Sequence, residues 1–580
     1  MKAAASTRAG PRKRAGAPSP FAAGTVVAVS AFVAYVRSFD FEFTYDDHHH
    51  FVQNPFVQNL ANIRQFLPWR YFESEFPDQV RPLLVSSHFL DRALGGTSAV
   101  CHAQSALWHA LAALLLFVLA RRLGWSTRAA GFGGVLFAIH PVAVEAVAGI
   151  SNREDVISAA FVLVSLLAIE RFFRGSRAAF AIAVLCYALA LLAKESALSL
   201  PFLLLVLALT SPRFRPRARA RRAWLALALA GGIVTLAFLG FMARLGAPSL
   251  LPGAGGSGLE NASHAPWMPG VRALVAWQAT DTPTAVPAPP PRRLGPRKPQ
   301  GEISLADAPA LEALRAWQVV VPWPTAPEYD LAPWRTPLAR LLGSAALLAL
   351  AYAFVRDRAR RGRVALGIGW FFAATLPVSV PTLLLNPLAD RYLYLPAAGA
   401  MMSLAWLVAE ELPARLQRPT LAGPLMLALA LGYLALFSLA LMRWQDDVSL
   451  FSAATAAAPS SARAQQNLGS ALLKKERYVE AETALARALE LDPGLLAARV
   501  NLGLLEEIRG RDSEALHHYR AAVSAPSLVA EEKLRARACE RLGSLLMRTA
   551  GKAEIERTLA AEQAAHPGSP CTRALQRSLQ

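Results

Sequence analysis

Of 580 residues, 54% are hydrophobic and 17% charged. With a positive mean hydropathy, that is more apolar surface than a soluble domain of this size buries. The formal net charge of +19 lies in short Lys/Arg clusters between apolar runs, which argues against a nucleic-acid partner and reads as membrane topology. The runs are Ala/Leu/Val-rich without alternation, so the pattern is that of an all-α polytopic bundle and not of a membrane barrel.

The basic segment 1–20 reads as a cytoplasmic amino terminus. The apolar stretch behind it is too long for a signal-peptide core and reads as an uncleaved first span, 21–38. An outer loop, 39–99, follows with "YDDHHHFVQNPFV" near its start. Further spans are expected at 100–120, 129–148, 155–172, 178–193, 196–210, 223–243, 338–355, 364–381, 393–411 and 420–442. That makes about eleven helices long enough for a hydrocarbon core of roughly 30 Å. The pair 178–193 and 196–210 reads equally as one broken helix. The basic connections "ARRLGWSTR", "RFFRGSR", "PRFRPRARARR", "RDRARRGR" and "ARLQR" all fall on the side of the amino terminus, while "ISNREDV", "AKES" and "NPLADRYLYLP" face the other way.

The membrane region therefore spans 21–444, and its long outer loop, 244–337, contains the Pro-rich "TDTPTAVPAPPPRRLGPRKPQ", which composition marks as a disordered insertion. The flanking "VRALVAWQA" and "LEALRAWQVVVPWP" are Trp-bearing amphipathic pieces suited to the interface. The remaining 445–580 falls on the outer face. There "NLGSALLKKERYVEAETALARALELDP" and "NLGLLEEIRGRDSEALHHYRAAV" place Leu468/Gly469 and Leu502/Gly503 34 residues apart, the tetratricopeptide period. Repeats are expected near 462–495 and 496–529, with a degenerate third near 536–569, forming an α-solenoid. Ala481, Leu485, Ala488, Ala515, Tyr519 and Ala522 are its expected packing positions. The cysteines Cys101, Cys186, Cys539 and Cys571 show no close pairing and no metal-ligand spacing.

Ionisable side chains at membrane depth are expensive, and several gather at the outer ends of the spans. They are Asp46 and Asp47, Arg81, His140 and Glu145, Arg153, Glu154 and Asp155, Lys194 and Glu195, and Asp390 and Arg391. Carboxylates can take a proton from an acceptor hydroxyl or hold Mn²⁺ or Mg²⁺, and guanidinium groups can neutralise a lipid phosphate. Plainer roles exist: a backbone hydrogen bond for His140 beside Pro141, an ion pair for Arg153 with Asp155, another for Lys194 with Glu195, interfacial anchoring for Tyr392. His48, His49 and His50 are consecutive, point in different directions and cannot all ligate one ion.

The blocks "YDDHHHFVQNPFV", "RPLLVSSHFLDRALGG", "LFAIHPVAVEAVAGISNREDV", "LLAKESALSLP", "VVPWPTAPEYDLAP" and "LPVSVPTLLLNPLADRYLYLPAAG", in that order and ahead of the repeats, resemble the transmembrane and tetratricopeptide-repeat O-mannosyltransferases, glycosyltransferases of the GT-C fold class. The resemblance implies transfer of a sugar, typically mannose, from a polyprenyl- or dolichyl-phosphate donor to a hydroxyl, often a protein Ser or Thr. It assigns Asp46 or Asp47 as general base, or as ligands of an optional divalent cation. It places Arg391 and Tyr392 at the donor phosphate, where Arg81 is also expected. His140, Glu145, Arg153, Asp155, Lys194 and Glu195 are supporting residues in this reading, and the repeat groove holds a peptide acceptor. The competing readings are a membrane-anchored scaffold without activity and a lipid-linked sugar flippase. The Ala/Arg/Leu/Pro bias points to a bacterial inner membrane in preference to an endoplasmic reticulum.

Overall fold

The computed structural model describes residues 19–66, 81–214, 221–244, 304–358, 362–385, 388–524, 532–566 and 568–579. The amino-terminal basic segment, the Pro-rich insertion and "VRALVAWQA" lie outside the described residues. Helices form throughout the rest, and no strand occurs among the described residues.

The first helix, α1 (Pro20–Ala34), starts where Ser19 accepts the Ala22 N–H and Pro20 fixes the first turn. Its exposed face of Phe21, Val26, Val29 and Val33 suits lipid. In the loop after α1, α2 (Pro82–Ala93) follows Arg81. The next helices are α3 (Ser98–Arg122) and α4 (Thr127–Ala138), each capped by a hydroxyl, Thr97 and Ser126. Pro141 cannot continue α4, and the chain bends by 50° into a short α5 (Val144–Ala148). After α6 (Arg153–Phe173) and α7 (Arg177–Ala193) the backbone is extended at Lys194 before α8 (Leu200–Thr210). Then come α9 (Arg221–Arg244), the long-loop helix α10 (Ala308–Val320), α11 (Pro337–Arg358), α12 (Arg363–Leu385), α13 (Tyr394–Trp406) and α14 (Ala422–Met442).

All eleven apolar stretches are helical. Seven helices are long enough to cross a membrane, or eight with the bent α4–α5 pair, among the described residues. The count falls below eleven because α7, the segment ending in α8 and the described part of α12 are short. The break at "AKE" separates α7 from α8, as one of the two sequence readings had it. Helices α3, α6 and α13 sit at the centre of the bundle, while α9 and α11 bury little of their surface and form its lipid-facing rim. Small residues set the closest approaches: a Cβ on Gly134 would lie 2.7 Å from Val27, and one on Gly399 would lie 2.2 Å from Trp370. The amphipathic α10 and the segment after it keep Trp317 and Trp323 exposed beside the bundle, where a membrane interface would hold them.

Beyond α15 (Asp447–Ala457), paired helices stack as a solenoid: α16 (Ala462–Lys474) with α17 (Tyr478–Leu491), α18 (Leu496–Ile508) with α19 (Asp512–Ser524), and α20 (Glu532–Thr549) with α21 (Lys552–Ala565). Ala481, Leu485, Ala488, Ala515, Tyr519 and Ala522 are fully buried. Gly469 and Gly503 admit Leu485 and Tyr519, which is why the Leu-Gly pairs repeat. A final helix, α22 (Pro570–Ser578), closes the stack. One sequence expectation is corrected here: Cys539 and Cys571 are joined by a disulfide, with Cα atoms 5.4 Å apart across a separation of 32 residues. Linear spacing hid the pair because the turn into α22 brings the two together.

Candidate active site

The loop after the first span turns back through Tyr45, whose φ of 51° is a left-handed conformation uncommon for a residue with a side chain. Neighbouring carboxylates hold it there. The Tyr45 N–H donates to Asp447 Oδ1 at 2.8 Å and the Thr44 N–H to Asp47 Oδ2 at 3.2 Å. Asp47 Oδ1 also accepts the Ser151 N–H at 2.7 Å, tying this loop to the one between α5 and α6. Asp47 is 1% exposed, and burial outweighs these hydrogen bonds to push its carboxyl up to about 6.

Asp46 is only half buried. Its charge, with burial, raises the Tyr45 phenol to about 12 against the opposing pull of Arg463 and Arg391. The acidic pair is thus divided: Asp47 is a buried strut, and Asp46 is the more open carboxylate beside Tyr45. His48 turns to Asp447, Nε2 to Oδ2 at 2.9 Å. The donor set does not suit a divalent cation. Both Asp47 oxygens accept backbone N–H groups, and among the described residues no three His, Cys, Asp or Glu side chains are placed to hold one metal ion.

Three cations come together from the start of α2, the α7–α8 break and the turn before α13. Arg391, in the turn Asp390–Leu393 that leads into α13, donates its main-chain N–H to Glu145 Oε2 at 3.0 Å and its guanidinium to Glu145 Oε1. The guanidinium lies 5.0 Å from the centroid of the Tyr392 ring, and Lys194 Nζ lies 5.7 Å from the same ring. Lys194, at the α7–α8 break, reaches Asp155 Oδ2 at 2.5 Å and Glu154 Oε1 at 3.3 Å. Arg81 bonds Glu154 and lies 3.1 Å from Glu195 Oε1. Arg391 is the most open of the three cations, its side chain 19% exposed against 11% for Arg81 and 4% for Lys194.

A small cleft runs along Asp155, Lys194 and Tyr392 onto the apolar Ala159, Ala374 and Leu395. A second is lined by Glu145, Asp390, Arg443 and Trp444. Such an arrangement can hold an anionic head by charge and an apolar chain by burial, with a carboxylate nearby to take a proton.

Two of the expected supporting residues are placed elsewhere. Arg153 is fully buried and points inward, donating to Ser105 (2.9 Å), Ser87 (3.1 Å), Asp91 (2.7 Å), Gln104 and the Cys101 carbonyl (2.7 Å). It pairs with Asp91, not with Asp155, because Asp155 is taken by Lys194. His140 Nε2 contacts the Val319 carbonyl at 3.1 Å while Nδ1 accepts the Val142 N–H, so it pins α10 to the bend in the α4–α5 span. The carbonyl it meets comes from the long loop and is not one freed by Pro141. Sequence reasoning missed Tyr45, Asp91, Arg443 and Asp447. Asp91 and Tyr45 stood inside quoted blocks, but nothing in the linear pattern marked their partners.

A family model for dolichyl-phosphate-mannose-protein mannosyltransferases matches residues 92–239, and a tetratricopeptide-repeat model matches 439–495 and 468–529. The human protein O-mannosyl-transferase TMTC1 is 31% identical over 172 residues. Over these residues the chain is homologous to the protein O-mannosyl-transferases. The Drosophila melanogaster protein O-mannosyl-transferase Tmtc1 is 33% identical over 176 residues and human TMTC4 31% over 177. These alignments cover 28%, 29% and 27% of this chain and 19%, 20% and 24% of TMTC1, Tmtc1 and TMTC4, so the chain spans about a fifth of the length of the curated relatives it matches. The mannosyltransferase match includes Glu145, Asp155 and Lys194. Asp46, Arg81 and Arg391 lie outside it.

Proposed function

We propose that this integral membrane protein is a glycosyltransferase that moves mannose from a polyprenyl-phosphate donor to a Ser or Thr hydroxyl of a protein on the extracytoplasmic face. The observation that carries the reading is a cleft lined by Lys194 and Tyr392 that continues onto apolar side chains, with the Arg391 guanidinium 5.0 Å from the Tyr392 ring centroid. The lipid phosphate sits against the cations and its first isoprene units follow Ala159, Ala374 and Leu395. Three cations, Arg81, Lys194 and Arg391, face four carboxylates, Glu145, Glu154, Asp155 and Glu195. The phosphate therefore binds by exchange, drawing the more exposed Arg391 away from Glu145.

In the reaction the acceptor oxygen attacks the anomeric carbon as Asp46 takes the hydroxyl proton. The bond from that carbon to the phosphate oxygen breaks, and the electron pair leaves on the polyprenyl phosphate, whose charge Arg391 and Lys194 hold. Asp47 positions the loop and takes no part in the proton transfer. No step runs through a metal ion.

Arg-rich connections on the opposite side and a disulfide in the repeat domain both favour an oxidising outer compartment for 445–580. Composition favours a bacterial plasma membrane, and the solenoid offers a surface for the acceptor protein. The test is mass spectrometry of Ser/Thr-linked hexose on outer-face proteins from cells carrying wild type, Asp46→Asn or Arg391→Ala. Hexose present only with wild type supports the reading; unchanged glycans in all three refute it.

A further inference from the structure

We infer that Asp447, the first residue of the soluble domain's opening helix α15, is a positioning residue for the loop that carries Asp46. The repeat domain then completes the active site as well as offering a surface to the acceptor. This inference rests on Asp46 acting as the base.

The geometry is specific to that loop. Asp447 is buried and accepts three donors: the Tyr45 N–H at 2.8 Å, His48 Nε2 at 2.9 Å and Lys474 Nζ at 3.1 Å. Two of the three come from residues that flank Asp46 and Asp47. The Tyr45 N–H belongs to the left-handed residue immediately before Asp46, a conformation that persists only where the surroundings enforce it. Lys474, from the end of α16, connects the same carboxylate to the first tetratricopeptide pair.

Other contacts join the same two bodies. The Glu42 N–H donates to the Gln445 carbonyl at 3.0 Å, Lys475 reaches Glu42 at 2.6 Å, and the Tyr45 and Phe451 rings meet edge to face at 5.7 Å. On the other side of the site, Glu328 of the long outer loop bonds Ser461 and lies 3.4 Å from Arg463. Asp447 is nevertheless the only side chain among these that fixes backbone next to Asp46. Losing it frees Tyr45 to relax into an extended or right-handed conformation, which swings the following carboxylate. Misplacing a reacting group by about 1 Å costs on the order of 10²-fold in rate.

The repeat domain thereby becomes a regulator of the chemistry. An acceptor that shifts α15 or α16 on binding changes the Asp46 loop directly, without contacting it.

The test uses the full-length protein in lipid nanodiscs with labelled polyprenyl-phosphate mannose and a Ser/Thr peptide. Asp447→Ala is expected to lower kcat about 10- to 100-fold at an unchanged KM for the donor, with faster amide exchange confined to residues 42–54. Asp447→Asn keeps an oxygen for the Tyr45 N–H and is expected to restore most of kcat. Where Asp447→Ala does not fold, His48→Gln and Lys474→Met, each removing one of the three bonds, are expected to give smaller falls in kcat alone. Wild-type kcat per folded molecule in the Asp447 variants, with Asp46→Asn inactive, overturns the positioning role and leaves the base in place. Full activity in Asp46→Asn overturns both.

Discussion

Replacing Arg153 by Met separates a structural role from a catalytic one. Arg153 and its partner Asp91 are both 0% exposed, joined at 2.7 Å, and the guanidinium makes four further hydrogen bonds, to Ser105, Ser87, Gln104 and the Cys101 carbonyl. Removing one member of a buried ion pair leaves the other uncompensated, at a cost of about 3–5 kcal/mol, whereas replacing both by apolar groups of similar volume is often close to neutral. Arg153→Met is therefore expected to lose about 3–5 kcal/mol, and Arg153→Met with Asp91→Leu to recover most of it. The assay is thermal unfolding of the purified protein followed by tryptophan fluorescence, alongside transfer activity per folded molecule. Activity per folded molecule stays near wild type in the double variant if Arg153 serves only the fold. A stable Arg153→Met protein that has lost donor binding would refute the structural assignment and return Arg153 to the phosphate.

The two aspartates should part company: Asp46→Asn is expected to lower kcat by about 10²–10⁴ with little change in stability, and Asp47→Asn to act mainly on stability, as steady-state kinetics and melting curves on the same samples would show. Asp47 also sets a pH dependence. Its carboxyl titrates at about 6 in the fold against an ordinary 3.8, so its contribution is fully present below 3.8 and lost as pH rises through 6, a difference of about 3 kcal/mol; a wild-type melting temperature that does not fall across this window relative to Asp47→Asn contradicts its burial. Cys539→Ser is expected to destabilise the end of the solenoid by about 3–4 kcal/mol, seen as earlier trypsin cleavage within α20–α22 than in wild type. Gly399→Ala places a Cβ against Trp370, where α12 and α13 touch, and should cost at least about 1–3 kcal/mol by overpacking; unchanged elution and melting of the variant would show that the helices are less close.

The parts of this protein readable from sequence are those set by local patterns. Apolar length gave the helices, and "AKE" marked the break between α7 and α8. Leu-Gly pairs 34 residues apart marked the solenoid because a glycine there admits Leu485 or Tyr519. What escaped depends on contacts between distant segments. Asp46 and Asp47 are chemically identical in sequence, and the Ser151 N–H, 104 residues on, with the Thr44 N–H makes a strut of Asp47. Arg153 stands beside Asp155 in the chain yet pairs with Asp91, 62 residues earlier, because Lys194 already occupies Asp155. The hold of Asp447 on Tyr45 spans 402 residues, and no periodicity registers it.

The account turns on a division of labour between Arg391, which meets the donor phosphate, and Asp46, which takes the acceptor's proton. Binding of labelled polyprenyl-phosphate mannose, measured beside its transfer to a Ser/Thr peptide in the same nanodiscs, tests this directly. Arg391→Ala should lose both donor binding and transfer, while Asp46→Asn should bind donor as wild type does and transfer nothing. Wild-type transfer by Asp46→Asn, or undiminished donor binding by Arg391→Ala, would contradict it.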